Sequence, residues 1–222
     1  MSGRTIAIGD IHGCSKSLAV LLEAVEPQAD DILVPLGDYI DRGPDSRGVL
    51  DQLIGLGQLC QVQPLLGNHE EIFLSVVTDG ASPELWLRHG GAATLDSYGF
   101  DGDLGVIPPE HLAFLQGCRD YFETPSHFFV HANYLPQVPL SRQPARTMRW
   151  ATLRERIPGP HLSGKTAVVG HTSDETGEIF NIGHLICIDT FCYGGGWLTA
   201  LDVTSGQTWG ANERGRLRQS PP

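Results

Sequence analysis

The chain has 222 residues, of which 41% are hydrophobic and 18% are charged, and its formal net charge is −11. This length and composition are typical of one globular domain, and the apolar runs are too short to span a membrane. The acidic charge disfavours a surface that binds nucleic acid, because such surfaces depend on Lys and Arg.

The N-terminal residues and the cysteines bear on the cellular compartment. Residues 1–5 lead directly into a short apolar run, without the apolar segment and cleavage site of a signal peptide. The five cysteines are irregularly spaced and include no Cys-x-x-Cys pair, which disfavours both a disulfide framework and a thiolate zinc site. We expect a cytoplasmic protein.

The first 75 residues repeat one pattern three times: an apolar strand, a Gly-Asp or Gly-Asn turn, and a helix. The predicted strands are 5–9, 32–36 and 62–66. The first predicted helix is capped by Ser15 and has an apolar face that ends at Val25, and the other two span 46–56 and about 69–77. Alternating strands and helices with short loops predict an α/β fold, in which ligands gather at the carboxyl ends of the strands.

The rest of the chain has a different pattern. Residues 80–112 are Gly-rich and irregular, with a short helix at 84–89, and we interpret them as a cap or surface insertion. Apolar runs at 128–130, 167–169, 185–188 and 197–203 predict a second sheet. We therefore expect a single domain over residues 1–211. Residues 212–222 are expected to be a flexible tail, with a basic recognition arm as the alternative.

Residues of the types that ligate metals follow five of the predicted strands. They lie in Gly9-Asp10-Ile11-His12-Gly13, Gly37-Asp38-Tyr39-Ile40-Asp41-Arg42-Gly43, Gly67-Asn68-His69-Glu70, His131 and Gly170-His171. A helix cap or a turn would explain any one of them alone. Their recurrence at five strand ends predicts one shared site.

The residue types predict a site for two divalent cations. A carboxylate can bridge two cations, and Asp38 is the best bridging candidate. Asp10 and His12 would complete one metal site, and the other would be completed by Asn68, His131 and His171. Imidazole with carboxylate suits Mn, Fe or Zn better than Mg or Ca. We expect Mn, with Fe, Zn or Ni as alternatives.

Two further groups are candidates for chemistry. His69 could protonate a leaving group as a general acid, with Asp41 orienting its imidazole. Arg42 could bind phosphate oxygens through its forked guanidinium. The alternatives are an exposed residue at a helix start for His69 and a surface salt bridge for Arg42.

The three N-terminal blocks together resemble the signature blocks of the phosphoprotein phosphatase branch of the calcineurin-like metallophosphoesterases. His131 and Gly170-His171 are similar to the two remaining metal-ligand blocks, and bacterial and phage-lambda-like members look nearest. The resemblance implies a four-layer α-β-β-α sandwich of two mixed β-sheets flanked by helices. It implies the same metal-ligand, acid and phosphate-binding roles as above.

The resemblance also implies a second phosphate-binding arginine between the two late histidines. Its spacing from Trp150 favours Arg154, and Arg149 and Arg156 are alternatives. The segment Ile188-Asp189-Thr190 resembles a further family segment, in which Phe191 stands where glycine is usual.

The function that the resemblance implies is a metal-dependent phosphomonoester hydrolase. A serine/threonine protein phosphatase is the first choice, with dual specificity as an option, in which a metal-bridging hydroxide attacks phosphorus and His69 is the acid. Its partner would be a phosphorylated protein or peptide. The sequence does not determine the oligomeric state, and a monomer is compatible with it. A dinucleoside polyphosphate hydrolase, for example of diadenosine tetraphosphate, is the alternative because it uses the same motifs. An inactive phosphate-binding scaffold is the alternative from another class, and it would not need His69, Asp41 and Arg42.

Overall fold

Two mixed β-sheets form the centre of the computed structural model, which describes residues 3–220. The strands are Thr5–Ile8 (β1), Ile32–Pro35 (β2), Gln61–Val62 (β3), Tyr121–Glu123 (β4), His127–Val130 (β5), Thr166–Val169 (β6), Phe180–Asn181 (β7), Leu185–Cys187 (β8), Asp189–Thr190 (β9), Trp197–Asp202 (β10), Thr208–Ala211 (β11) and Leu217–Ser220 (β12). The first sheet has the order β12-β11-β10-β1-β2-β3, with β9 also paired to β10, and the second has the order β4-β5-β6-β8-β7. Strands β1, β2 and β3 are parallel, as are β5, β6 and β8.

Helices connect and cover these strands. They are Ser15–Val25 (α1), Ser46–Leu56 (α2), Asn68–Asp79 (α3), Glu84–Trp86 (α4), Ala92–Tyr98 (α5), Pro109–Gln116 (α6) and Ala145–Trp150 (α7). Helix α2 illustrates the local causes: the Asp45 carboxylate caps its first turn by accepting from the Gly48 amide, and Leu50 and Leu53 are buried on one face. Among residues 3–220, no helix has the length and apolar character that a membrane span requires.

Alternation along the strands creates the layers. In β1, Ile6 and Ile8 face the helices of the first sheet, whereas Ala7 lies in the core between the two sheets. In β5, Phe129 faces that same central core, while Phe128 belongs to the core behind the second sheet. Side chains on opposite faces of each strand therefore build three cores, as period-2 alternation requires. The predicted α-β-β-α sandwich of two mixed sheets is confirmed.

The middle of the chain differs from the expected irregular cap or insertion. Residues 80–112 contain α4, a kinked turn at Leu87–Gly91, α5 and the start of α6, and α4, α5 and α6 pack against α2 and α3. Trp86 and Tyr98 are buried in the same core as α1 and α2. The frequent glycines hid this helical structure because they mark the kinks between its short pieces, as at Gly90, where φ is 104°.

The prediction of a flexible tail over residues 212–222 is wrong for Leu217–Ser220, which form strand β12. Leu217–Ser220 pairs antiparallel with β11 at the edge of the first sheet, and the Arg218 guanidinium lies 4.7 Å from the centre of the Trp197 ring. An edge strand is held by backbone hydrogen bonds and needs no apolar face, which is why the polar sequence did not reveal it. Pro221 and Pro222 of the predicted tail lie outside the described residues.

Candidate active site

The predicted metal ligands come together at one end of the two sheets. Asp10 and His12 follow β1, Asp38 follows β2, and Asn68 begins α3. His131 follows β5 directly, and His171 follows β6 after one glycine. This is the carboxyl end of the parallel strands, where the fold leaves room for a ligand.

Asp38 lies at the centre of this group. Its Oδ2 atom is 3.5 Å from His12 Nε2, and its Oδ1 atom is 3.4 Å from His131 Nε2. Two sets of mutually close ligand atoms share this carboxylate: one with His12 and His69, and one with His131 and His171. The two oxygens of Asp38 therefore face two different sets of donors, as a bridging carboxylate does.

Backbone carbonyls orient the imidazoles. His12 Nδ1 lies 3.0 Å from the Ile40 oxygen, and His131 Nδ1 lies 2.9 Å from the Leu36 oxygen. Each of these nitrogens donates its proton to the carbonyl, which leaves an unprotonated Nε2 directed at Asp38. His171 is reversed, since its Nε2 lies 3.2 Å from the Trp150 oxygen and its Nδ1 is left as the free ligand atom.

Protonation states favour cation binding. Burial lowers the pKa of His12 and His131, and it lowers the pKa of His171 to about 4, so these imidazoles are neutral at pH 7. Burial alone would raise the pKa of Asp38, but the surrounding imidazoles, His131 first, hold it below its ordinary value. Neutral imidazoles and an ionised carboxylate are the forms that ligate metals.

Asp10 lies beside this cluster and against a carboxylate that we did not predict as a site residue. Its Oδ2 accepts the backbone N–H of His171 at 2.9 Å, and it is not among the two sets of mutually close ligand atoms. Burial and the charge of Asp189 raise the pKa of Asp10. Burial likewise raises the pKa of Asp189 to about 7. The sequence signals for Asp189 were its position at the end of a strand and the resemblance of Ile188-Asp189-Thr190 to a family segment.

His69 and Asp41 form the contact that the sequence predicts between them. His69 Nδ1 lies 2.7 Å from Asp41 Oδ2, and both side chains are fully buried. His69 Nε2 has no hydrogen-bond partner among the described residues and lies 3.9 Å from Asp38 Oδ2. Burial would lower the pKa of His69, but Asp38 and Asp41 raise it above its ordinary value. His69 can therefore hold a proton on a nitrogen that faces the cluster.

The predicted arginines have different surroundings. Arg42 is exposed at the mouth of the site, with its guanidinium carbon 4.6 Å from the Tyr193 ring centre and its Nη1 3.4 Å from His12 Nε2. Arg154 donates instead to the Ser173 oxygen at 2.7 Å.

The two alternative arginines are also placed by the structure. Arg149 pairs with Glu71 and Asp120, and Arg156 is exposed and accepts the amide of Asn133 through its backbone oxygen. Within residues 3–220, Arg42 is thus the predicted arginine whose guanidinium reaches a predicted ligand.

Glu70 holds the loop that carries Asp38. Its buried carboxylate accepts the backbone N–H groups of Asp38 at 2.8 Å, Tyr39 at 2.8 Å and Gly67 at 3.1 Å. These bonds fix the loop after β2 to the start of α3, and thereby fix Asp38 relative to Asn68.

Left-handed backbone conformations are concentrated at the site. Among non-glycine residues, φ is 47° at His12, 52° at Asp38, 71° at Asp41, 69° at Arg42 and 64° at His171. Such conformations are strained and persist only where surrounding contacts hold them. Phe191 also has a positive φ, of 63°, which explains why glycine is usual at this position of the resembling segment.

The donor set fits divalent cations. His131 Nε2, whose ring proton is on Nδ1, faces Asn68 Oδ1 at 3.1 Å, so two lone pairs point at the same space. Two acceptors in such contact repel each other unless a cation lies between or beside them. Carboxylate, amide and imidazole together suit Mn, Fe or Zn.

A cleft adjoins the cluster. Its volume is about 750 Å³, and it is lined by Glu71, Pro144, Arg146, Thr147, Trp150, Ala151 and Glu155. Trp150 connects the cleft to the cluster because its carbonyl accepts from His171 and its ring lies 6.4 Å from that of His89, which in turn lies 6.0 Å from the His69 ring.

Known proteins are similar to this chain in sequence and in fold. A symmetrical bis(5'-nucleosyl)-tetraphosphatase of Janthinobacterium sp. (strain Marseille) is 28% identical over 92% of this chain and 94% of its own length. Serine/threonine-protein phosphatase 1 of Salmonella typhimurium is 32% identical over 64% of this chain and 61% of its own length. A crystal structure assigned provisionally to a diadenosine tetraphosphatase has a TM-score of 0.71 and 25% identity, covering 100% of this chain and 94% of that chain.

The family match covers most of the chain. Residues 3–204 match calcineurin-like phosphoesterases, and this range includes all six predicted metal ligands. The family match agrees with the clustered His and Asp side chains, which are typical of a metal-dependent phosphoesterase. The chain belongs to the calcineurin-like phosphoesterase family.

Proposed function

We propose that this metal-dependent phosphoesterase hydrolyses dinucleoside polyphosphates, with diadenosine tetraphosphate as the representative substrate. The observation that carries the proposal is the similarity to the Janthinobacterium tetraphosphatase, which extends over nearly the whole length of both chains. The similarity to the Salmonella protein phosphatase covers 64% of this chain. The resemblance of the signature blocks to the phosphoprotein phosphatase branch put the protein phosphatase first, although both activities use these motifs. The full-length similarity favours the alternative.

In this proposal six residues hold two divalent cations: Asp10, His12, Asp38, Asn68, His131 and His171. When bound, such ions activate water as a nucleophile and stabilise charge on the phosphoryl oxygens. Arg42, at the mouth of the site, binds the phosphate oxygens through its guanidinium. His69 donates the proton on Nε2 to the leaving oxygen, while Asp41 holds Nδ1 and keeps the ring oriented.

The cleft beside the cluster supports a substrate with a large leaving group. Its volume of about 750 Å³ is within the range of small-molecule sites, and its wall combines the Trp150 ring with the exposed Arg146. An aromatic ring can stack on a nucleobase, and a guanidinium can neutralise a polyphosphate. A nucleoside diphosphate leaving from the cluster would find both groups next to it.

Parallel assays test the proposal. We expect the Mn²⁺-loaded protein to cleave diadenosine tetraphosphate to two molecules of ADP, with a kcat/KM higher than that for a phosphoserine peptide. Chromatography of the nucleotide products and phosphate release from the peptide measure the two reactions. A higher kcat/KM for the peptide, or no turnover of the dinucleotide, would contradict the proposal.

A protein-serine/threonine phosphatase is the second candidate. The observation in its favour is the Salmonella enzyme, to which this chain is 32% identical, a higher identity than to the Janthinobacterium tetraphosphatase. If this chain is such a phosphatase, the same assay should give a higher kcat/KM for the phosphoserine peptide than for diadenosine tetraphosphate. An inactive scaffold would turn over neither substrate.

A further inference from the structure

We infer that Trp86 and Thr94 are positioning residues that hold Asp41, and through it His69, for protonation of the leaving group. The inference rests on the proposed role of His69 as the acid. Residues 80–112, which the sequence led us to interpret as a cap or surface insertion, would thereby contribute to the reaction.

Trp86 and Thr94, both in the middle of the chain, donate hydrogen bonds to the Asp41 side chain. Asp41 Oδ1 accepts from Trp86 Nε1 at 2.9 Å and from Thr94 Oγ1 at 2.7 Å, while Oδ2 faces His69 Nδ1 at 2.7 Å. The backbone N–H of Asp41 donates to Thr94 Oγ1 at 2.9 Å and to Ser46 Oγ at 3.1 Å. Both carboxylate oxygens and the backbone amide are therefore occupied.

Because they are buried, the hydrogen bonds from Trp86 and Thr94 determine the orientation of the Asp41 carboxylate. Trp86 and Thr94 are each 1% exposed, and Asp41 is 0% exposed. In such a place water cannot replace a lost donor, so turning the carboxylate away from His69 would leave buried polar atoms without hydrogen-bond partners. The two donors to Oδ1 thus restrict the rotation of the carboxylate that orients His69.

The backbone of Asp41 requires the same support. Its φ of 71° is in the left-handed region, where a non-glycine residue is stable only if neighbouring contacts hold it. Thr94 supplies such a contact twice, since its hydroxyl accepts from the Asp41 backbone and donates to the Asp41 carboxylate. Gly91 allows Trp86 to lie this close, because a Cβ at Gly91 would come within 2.5 Å of the indole ring.

Dependence on the leaving group distinguishes positioning from a merely structural role. A good leaving group departs without protonation, whereas a poor one needs the acid. The experiment measures kcat/KM for substituted phenyl phosphates, from 4-nitrophenyl to unsubstituted phenyl, with Mn²⁺-loaded protein. The variants are Trp86→Phe, which removes the indole N–H, Thr94→Val, which removes the hydroxyl, and His69→Asn, which removes the acid.

The expected result is a graded loss. His69→Asn should lower kcat/KM for phenyl phosphate about 10²- to 10⁴-fold more than for 4-nitrophenyl phosphate. Trp86→Phe and Thr94→Val should show a smaller preferential loss, of about tenfold, and Thr94→Ser should restore the wild-type dependence. In the His69→Asn background, Trp86→Phe should add no further dependence on the leaving group, since Trp86 acts on the reaction only through His69.

Trp209→Phe is the matched control. Trp209 is buried in the same core as Trp86, and its Nε1 has no hydrogen-bond partner among the described residues. This substitution removes the same atoms without touching Asp41, and it should leave the dependence on the leaving group unchanged. Thermal unfolding and metal content of each variant verify folding, and Thr94→Val carries the test if Trp86→Phe does not fold.

Two outcomes overturn the inference, and they differ from failure of the proposed substrate. If His69→Asn steepens the dependence while Trp86→Phe and Thr94→Val lose activity equally on all substrates, the two residues do not position the acid. If His69→Asn itself shows no steepening, the acid role fails and the inference fails with it. Neither result depends on whether diadenosine tetraphosphate is the substrate, because aryl phosphates report on the chemistry alone.

Discussion

At the scale of single residues, burial sets the protonation states on which the site depends. The imidazoles of His12, His131 and His171 are kept neutral, and their remaining protons are committed to backbone carbonyls. The Asp10 and Asp189 carboxylates are buried next to each other, and the pKa of each is raised. A metal ion binding to Asp10 must therefore displace a proton from this pair, but none from the imidazoles.

Because this proton must be displaced, we expect the affinity for Mn²⁺ to depend on pH. Because a carboxyl with a raised pKa keeps its proton to a higher pH, the affinity for Mn²⁺ should fall as the pH drops into the range in which the Asp10–Asp189 pair takes up a proton. Displacing one proton weakens binding about tenfold per pH unit. In Asp189→Asn the like charge beside Asp10 is gone, so the fall between pH 7 and 5 should be shallower. Calorimetric titration of both proteins measures this, and parallel pH dependences would contradict it.

We expect Arg146 to contribute to the recognition of diadenosine tetraphosphate. It is exposed and lines the cleft beside Trp150. Arg146→Ala should raise the KM for diadenosine tetraphosphate about tenfold, the effect of losing one hydrogen bond to a charged group, with kcat little changed. Arg142→Ala is the control, since Arg142 is also exposed but is not among the residues that line the cleft. Equal effects of the two substitutions would exclude a role for the cleft.

Individual site residues differed in how well they could be predicted. The five strand-end blocks identified the cluster around Asp38, since metal ligands combine restricted residue types with fixed positions after strands. The partners of Asp41 left no such pattern. Trp86 and Thr94 are separated from it by 45 and 53 residues, and a buried Trp or Thr in a helical segment is indistinguishable in sequence from ordinary core.

At the scale of elements, the segment around the kinked turn Leu87–Gly91 supports two candidate site residues at once. Trp86 and Thr94 flank the turn Leu87–Gly91 and contact Asp41, while the Gly90 carbonyl accepts the backbone N–H of Arg42 at 3.3 Å. The close approach needs glycine, because a Cβ at Gly90 would lie 2.9 Å from the Arg42 backbone nitrogen. The segment thus fixes the backbone that presents Arg42.

Gly90→Ala tests this support. The substitution forces a side chain onto a φ of 104° and against Arg42, so we expect a loss of about 1–3 kcal/mol in the free energy of unfolding and weaker inhibition by inorganic phosphate. Gly99→Ala is the matched control, with a φ of 68° and open space around its Cβ position. It should lose stability but keep phosphate affinity, and a similar loss of phosphate affinity in both would contradict the account.

Secondary structure could be predicted where its periodicity was strong. Helix α2 spans the predicted residues 46–56, because a capping Asp45 precedes a regular apolar face. The short helices between residues 80 and 112 and the edge strand β12 could not be predicted. The helices consist of short pieces separated by glycines, and the strand is stabilised by pairing with a distant neighbour rather than by its own pattern.

At the scale of the whole molecule, the predicted ligands connect the two sheets. Asp10, His12 and Asp38 follow strands of the first sheet, whereas His131 and His171 follow strands of the second. A cation bound between Asp38 and His131 would link the sheets across the central core. The fold class followed from the resemblance of the motifs, but this linkage could be seen only once the sheets were in place.

Metal binding should therefore stabilise the fold. At a free Mn²⁺ concentration of 100 times the Kd, the free energy of unfolding should rise by about 2.7 kcal/mol for one bound ion, and more if both sites fill. Urea unfolding with Mn²⁺ or with a chelator measures the difference. Asp38→Asn is expected to lose most of it, because it removes the carboxylate shared by both sets of donors. An equal gain in Asp38→Asn would mean that the ions bind elsewhere.

The most direct test of the central claim, a two-cation site bridged by Asp38, is anomalous diffraction from crystals of the Mn²⁺-loaded protein. We expect two anomalous peaks about 3.5–4 Å apart, one beside each carboxylate oxygen of Asp38. The peak on the Oδ2 side should be near His12, and the peak on the Oδ1 side near His131. A single peak, or peaks that do not contact Asp38, would contradict it.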